Sequence, residues 1–221
     1  MNLTQRIKQE WLQLLILAAP FALIPFVWDK MPDRIPIHWD YNGHPNGYGN
    51  KAFGLMFAPT LNIGLALLFI GLSKIDPKAW MMNVSSVMLR PLRLVITGFL
   101  TVVCYVTTLS ILYPEVNMGT TFQFLMPGFF LVLGNFLPTV KPNYFVGIRV
   151  PWTLEDPDNW RQTHRLAGRL WVIASALYLV IEIVLGNQVP QAMFWGYLGI
   201  ITVVPILYSF VYFQRSKKQP V

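Results

Sequence analysis

LVITGFLTVVCYVTTLSILY, residues 94–113, is twenty consecutive residues without one charged side chain. A bilayer core of about 30 Å is crossed by about 20 residues of helix. Backbone groups in lipid must be paired within their own segment, so such a run is read as a transmembrane helix. Five further windows qualify: residues 11–28, 53–72, 121–139, 169–185 and 192–213. All are apolar on every side. A transmembrane strand would instead alternate polarity over about ten residues. The expected fold class is therefore an all-α integral membrane protein with six transmembrane helices.

Composition agrees. The chain has 221 residues, 54% hydrophobic and 12% charged, against about 25% charged in soluble domains. One cysteine, Cys104, excludes a disulfide framework and a cysteine zinc site. The first window has a basic start at Arg6 and Lys8. It outlasts the 7–15-residue core of a signal peptide, so it reads as a retained helix whose outer half Pro20 and Pro25 bend.

Lys and Arg set the orientation. Fourteen of the 17 fall on one side of the six windows, and Lys30, Arg34 and Lys51 fall on the other. The expected location is the cell membrane, multi-pass, with both termini cytoplasmic. Topology accounts for the net charge of +7, so no direct nucleic-acid contact is needed. Tryptophans cluster at interfaces and loops, where an amphipathic ring is best placed.

Three loops carry the polar sequence. The outer loop, residues 29–51, is rich in Pro and Gly. It is expected to be irregular, with turns at Asn42-Gly43 and Asn46-Gly47 and one short strand where Ile35, Ile37, Trp39 and Tyr41 alternate with polar residues. Between spans two and three, Asp76-Pro77 starts a helix, and Trp80, Met81, Val84, Val87 and Met88 recur at helical spacing. An amphipathic helix at the inner surface is expected there, with Pro91 marking a break or a transition into the third span. In the inner loop, residues 141–168, Asp156-Pro157 reads as cap and first turn. A helix from there to Leu185 would be about 43 Å long. The expected organisation is residues 1–75 as a helical hairpin carrying loop 29–51, residues 76–213 as a four-helix region carrying loop 141–168, and 214–221 as a cytoplasmic tail.

The end of the fourth window and the inner loop carry Gly134-Asn135, then Lys141-Pro142-Asn143, Gly147-Ile148-Arg149, Pro151-Trp152-Thr153-Leu154, Trp160, Thr163-His164-Arg165 and Gly168. This pattern resembles the SdpI family of bacterial membrane proteins. The outer loop, with Pro32, Ile35-Pro36, His38, Gly43, Gly47 and Lys51, resembles a domain of unknown function that usually precedes that region. Val150 departs from the family, which often has Thr there. The resemblance implies immunity to a secreted, sporulation-delaying-type peptide toxin. It also implies signal transduction, in which the toxin-bound protein holds a cytoplasmic winged-helix repressor at the membrane.

Each polar cluster has two readings. Arg149, His164 and Arg165, with Trp152, Thr153 and Trp160 nearby, could form a cationic pocket for a cytoplasmic protein or an anionic headgroup. Alternatively, Arg149 caps a helix or pairs with Glu155 or Asp158, and His164 staples the loop from a buried position. Asn143 and Gly147 read as loop architects. Outside, His38, Asp40 and His44 could ligate a divalent cation with help from Asp33 or Glu115. The other reading of that loop, with Lys51, is a peptide- or lipid-contact lid; no metal is assigned. Glu182, the one acid within a span, could accept a proton or a cationic toxin side chain, or reach the outer headgroups. Asn62 and Asn135 read as interhelical hydrogen-bonding groups. No catalytic motif is present, so the reading is a non-enzyme without cofactor. A transporter built around Glu182 and a membrane enzyme using His164 or His38 are the alternatives.

Overall fold

A computed structural model describes residues 3–75 and 86–217. The order is α1 (Leu3–Val27), a 3-10 turn (Trp28–Lys30), β1 (Arg34–Trp39), β2 (Pro45–Asn50), α2 (Lys51–Ile75), α3 (Ser86–Leu112) and α4 (Met118–Phe136). A second 3-10 turn (Leu137–Thr139) leads to the short α5 (Pro151–Glu155), then α6 (Pro157–Leu185), a third turn (Gly186–Gln188) and α7 (Gln191–Ser216). Among the described residues, α1, α2, α3, α4, α6 and α7 are long and apolar enough to cross a membrane. They coincide with the six windows read from sequence.

Two expectations change. The outer loop is not irregular: β1 and β2 form an antiparallel hairpin, with Ile35 opposite Gly49 and His38 opposite Gly47. Gly43 makes its turn with φ of 82°, a region that favours a residue without Cβ. Asn46-Gly47, expected as a turn, lies inside β2. Register shifts flank His38, and they leave Ile35 buried but Ile37 exposed. The second change is at Pro91, which interrupts nothing: α3 runs through it from Ser86. As the sixth residue of that helix, Pro91 forgoes one backbone hydrogen bond, to the Val87 carbonyl, without ending the helix. The expected surface helix from Asp76 through Val84 lies outside the described residues.

The chain packs as two compact units, Met1–Phe69 with Arg93–Phe122, and Ile70–Leu92 with Gln123–Val221. In the first, a polar ladder ties α1, α2 and α3. Gln13 donates to Thr97 at 2.9 Å, Asn62 donates to the Thr97 carbonyl at 3.0 Å, and Thr101 donates to the Ile16 carbonyl at 3.1 Å. Arg93 pairs with Glu10 at one end of that ladder. Lipid gives little hydrophobic drive for helix pairing, so bonds of this kind and close packing hold such helices together. The hairpin is seated by Val27, Met31, Ile35 and Leu55, and Asn117 donates to the Asn42 carbonyl at its tip.

In the second unit, α6 and α7 pack along their length. Trp171 donates to the Ile201 carbonyl at 2.8 Å, and Ser175 and the Tyr197 hydroxyl are 2.8 Å apart. Helices α4 and α6 meet at two glycines. A Cβ on Gly168 would stand 2.6 Å from Pro138 and 2.7 Å from the Gly134 carbonyl, so the approach requires their absence.

Candidate functional site

The loop from α4 to α6 is closed by its own side chains. Asn143 is buried and fully used. It donates to the carbonyls of Lys141 and Val146, and its oxygen accepts from the N–H groups of Phe145 and Val146 at 2.8 and 2.7 Å. This is the local bonding that makes Asn a turn residue. Gly147 follows with φ of 117°, and a Cβ there would lie 2.3 Å from His164 Nε2.

His164 is 1% exposed. Its Nε2 accepts the Ile148 N–H at 3.0 Å, and its Nδ1 lies 2.8 Å from the Trp160 carbonyl. One nitrogen must accept and the other donate, which assigns the neutral Nδ1–H tautomer. Trp160 stacks on the ring at 4.1 Å between centroids, and its indole N–H donates to the Val140 carbonyl at 2.7 Å. Thr153, wholly buried, donates to the Ile148 carbonyl at 2.8 Å and accepts the Val150 N–H at 3.1 Å. Asp156 caps α6 by accepting the Asp158 N–H, as expected of Asp-Pro.

This loop is fixed to α7 through Ser209. Trp152 donates to the Ser209 hydroxyl at 2.8 Å, and Asn159 donates to the Ser209 carbonyl at 3.0 Å while holding Thr163. Asn159, Thr163 and Ser209 are not among the site residues expected from sequence, although Thr163 belongs to the Thr163-His164-Arg165 motif. The first two sit at i, i+4 spacing beside the Trp160–His164 pair. Ser209 is a lone hydroxyl in an apolar run, which carries no signal until its partner is known.

Asn143, Gly147, Thr153, Trp160 and His164 therefore come together, with Trp152 at their edge. Arg149 and Arg165 do not join them: both are exposed. Arg149 donates to the Tyr144 carbonyl rather than pairing with Glu155 or Asp158, and Asp158 pairs with Arg161. His164 and Arg165 are neighbours in sequence but about 100° apart around a helix. The three-residue cationic pocket is not formed.

The outer residues are also separated. His38 bonds Asn46 at 2.5 Å, whereas the His44 backbone N–H donates to the Asp40 carboxylate at 2.9 Å and the His44 ring lies 3.6 Å from it. Among the described residues no three His, Cys, Asp or Glu side chains form a metal-holding group. Lys51 lies 3.3 Å from Asp33 and over the Trp28 ring, linking the hairpin base to the 3-10 turn that follows α1.

Asn62 bridges helices as expected. Asn135 does not: it is exposed and donates back to the Leu131 carbonyl of its own helix. Glu182 faces inward at 1% exposure rather than toward headgroups. The Tyr178 hydroxyl donates to its Oε1 at 2.9 Å, and its Oε2 is buried without a hydrogen-bond partner.

With these polar knots set among six membrane-length helices, the chain is a multi-pass membrane protein. Residues 139–209 match the model of the SdpI/YfhL protein family, and residues 15–63 match a domain of unknown function, DUF1648. The two matched segments stand in the order the motifs suggested. Immunity protein SdpI of Bacillus subtilis (strain 168) is 22% identical over 213 residues, 94% of this chain and 97% of its own length. No solved structure matches. The whole knot, Val140 to Ser209, falls inside the segment that matches the SdpI/YfhL model, and the hairpin falls inside the other matched segment.

Proposed function

We propose that this protein protects its bacterial host against a secreted, membrane-active peptide, without catalysis and without a cofactor. The observation that carries this is the end-to-end likeness to a protein named for immunity, which includes both matched segments. The basic-residue count supports an orientation with both termini and loop 141–168 in the cytoplasm and the β1–β2 hairpin outside. On that reading the hairpin and the outer helix ends meet the peptide. The hairpin suits the task, because buried Ile35 seats it while Ile37 and Tyr48 remain exposed on it. Organisation into residues 1–75, 76–213 and a 214–221 tail stays with this proposal as a division by sequence family rather than by packing.

Signalling is a second layer of the same proposal. A cytoplasmic winged-helix repressor would dock on the exposed rim of the inner loop, where Arg149 sits outside the closed knot. One observation favours a transporter instead: the buried, unpartnered Oε2 of Glu182.

The test is protection. Expression of the chain in a sensitive host, challenged with a panel of secreted membrane-active peptides, is expected to restore growth against at least one. Unchanged killing across the panel, with the protein abundant in the membrane, contradicts the proposal.

A further inference from the structure

Along the start of α6, the side facing away from the closed loop forms a groove against α7. It is open, has a volume of about 320 Å³, and is lined by Arg165, Arg169, Gln162 and Tyr208 together with Leu166 and Leu170. A second groove of about 400 Å³ continues from Tyr208 to Arg215 near the end of α7. Among the described residues, Arg165, Arg169 and Arg215 have no acidic partner. The nearby acids are already engaged, Asp158 with Arg161 and Asp156 with the α6 cap.

We propose that this groove is a binding site for one anionic phospholipid, its phosphate between Arg165 and Arg169 and its acyl chain along Leu166 and Leu170. Three features choose that occupant. Arg165 and Arg169 are four residues apart, so both guanidinium groups stand on one helix face and can grip phosphate oxygens bidentately. The floor beneath them is apolar and continues into the membrane-length part of α6, which fits a chain and not a free ion. Arginines at the edge of a span bend toward headgroup level while their stems cover apolar surface. Basic pockets between transmembrane helices suit anionic headgroups. The site is separate from the Asn143–His164 knot and does not depend on the immunity reading.

Native mass spectrometry of the full-length protein, released from detergent with equal phosphatidylglycerol and phosphatidylcholine, tests it. The expected result is preferential retention of phosphatidylglycerol by about thirty-fold, the scale set by two arginine contacts at a membrane surface. R165Q/R169Q should abolish the preference, and R161Q, whose guanidinium lies outside the groove, should keep it. Equal retention of both lipids by the unaltered protein overturns the site with no variant needed. So does an R161Q protein that loses as much as the double variant, since bulk surface charge would then explain the effect. Displacement of the lipid by millimolar inorganic phosphate overturns the assignment to a phospholipid and leaves a simple anion site.

Discussion

The Ile148 N–H donates to Nε2 of His164 at 3.0 Å, joining the end of an irregular loop to a helix sixteen residues further on. The other ring nitrogen is held by the Trp160 carbonyl, so the imidazole is a cross-link with both ends used. His164→Ala leaves a buried N–H unpaired and removes the ring on which Trp160 stacks. The expected cost is about 2–4 kcal/mol. Thermal unfolding in detergent checks it, and a variant as stable as the parent would contradict the stapling role.

Gly147→Ala tests the same knot from the loop side. A Cβ at φ of 117° is strained, and it would collide with His164 Nε2. Destabilisation above about 2 kcal/mol is expected. Gly199→Ala, where nothing lies within 4 Å of the new Cβ, should change stability by no more than about 1 kcal/mol, in the stabilising direction. Similar melting of both variants would remove the distinction.

Arg149→Ala separates the two layers of the proposed function. Arg149 is exposed and bonds only locally, so its loss should alter stability by about 0.5 kcal/mol or less. Membrane abundance and protection should persist, while recruitment of a repressor to the membrane falls. Equal loss of both activities at normal abundance would contradict the separation.

Glu182→Gln distinguishes immunity from transport. The amide oxygen still accepts from Tyr178, so folding should be retained. Protection is expected to remain within about two-fold of the parent, less than the 0.5 kcal/mol scatter of mild substitutions. Flux into proteoliposomes that depends on Glu182 would favour the transporter instead.

The six spans were legible because lipid is a uniform solvent: a helix crossing it must be apolar on every face, and hydropathy alone reports that. The Asp156 cap was legible because it is local. The hairpin was half legible: alternation showed the first strand and Asn42-Gly43 the turn, but the second strand carries Pro45, Asn46-Gly47 and Gly49, which read as turns, and pairing with β1 overrides that preference. The site was half legible. His164 and Asn143 drew attention as polar residues in a patterned loop, but sequence adjacency suggested that Arg165 joined them, and helix geometry turns it about 100° away, where it is exposed. Ser209 and the inward turn of Glu182 are tertiary facts with no local signature.

The orientation on which the proposed function rests is tested most directly by labelling single cysteines in a Cys104→Ser background. A membrane-impermeant maleimide added to intact cells should label His44→Cys in the hairpin and leave Arg149→Cys untouched until the membrane is opened. Labelling of Arg149→Cys in intact cells, with His44→Cys protected, would contradict the account.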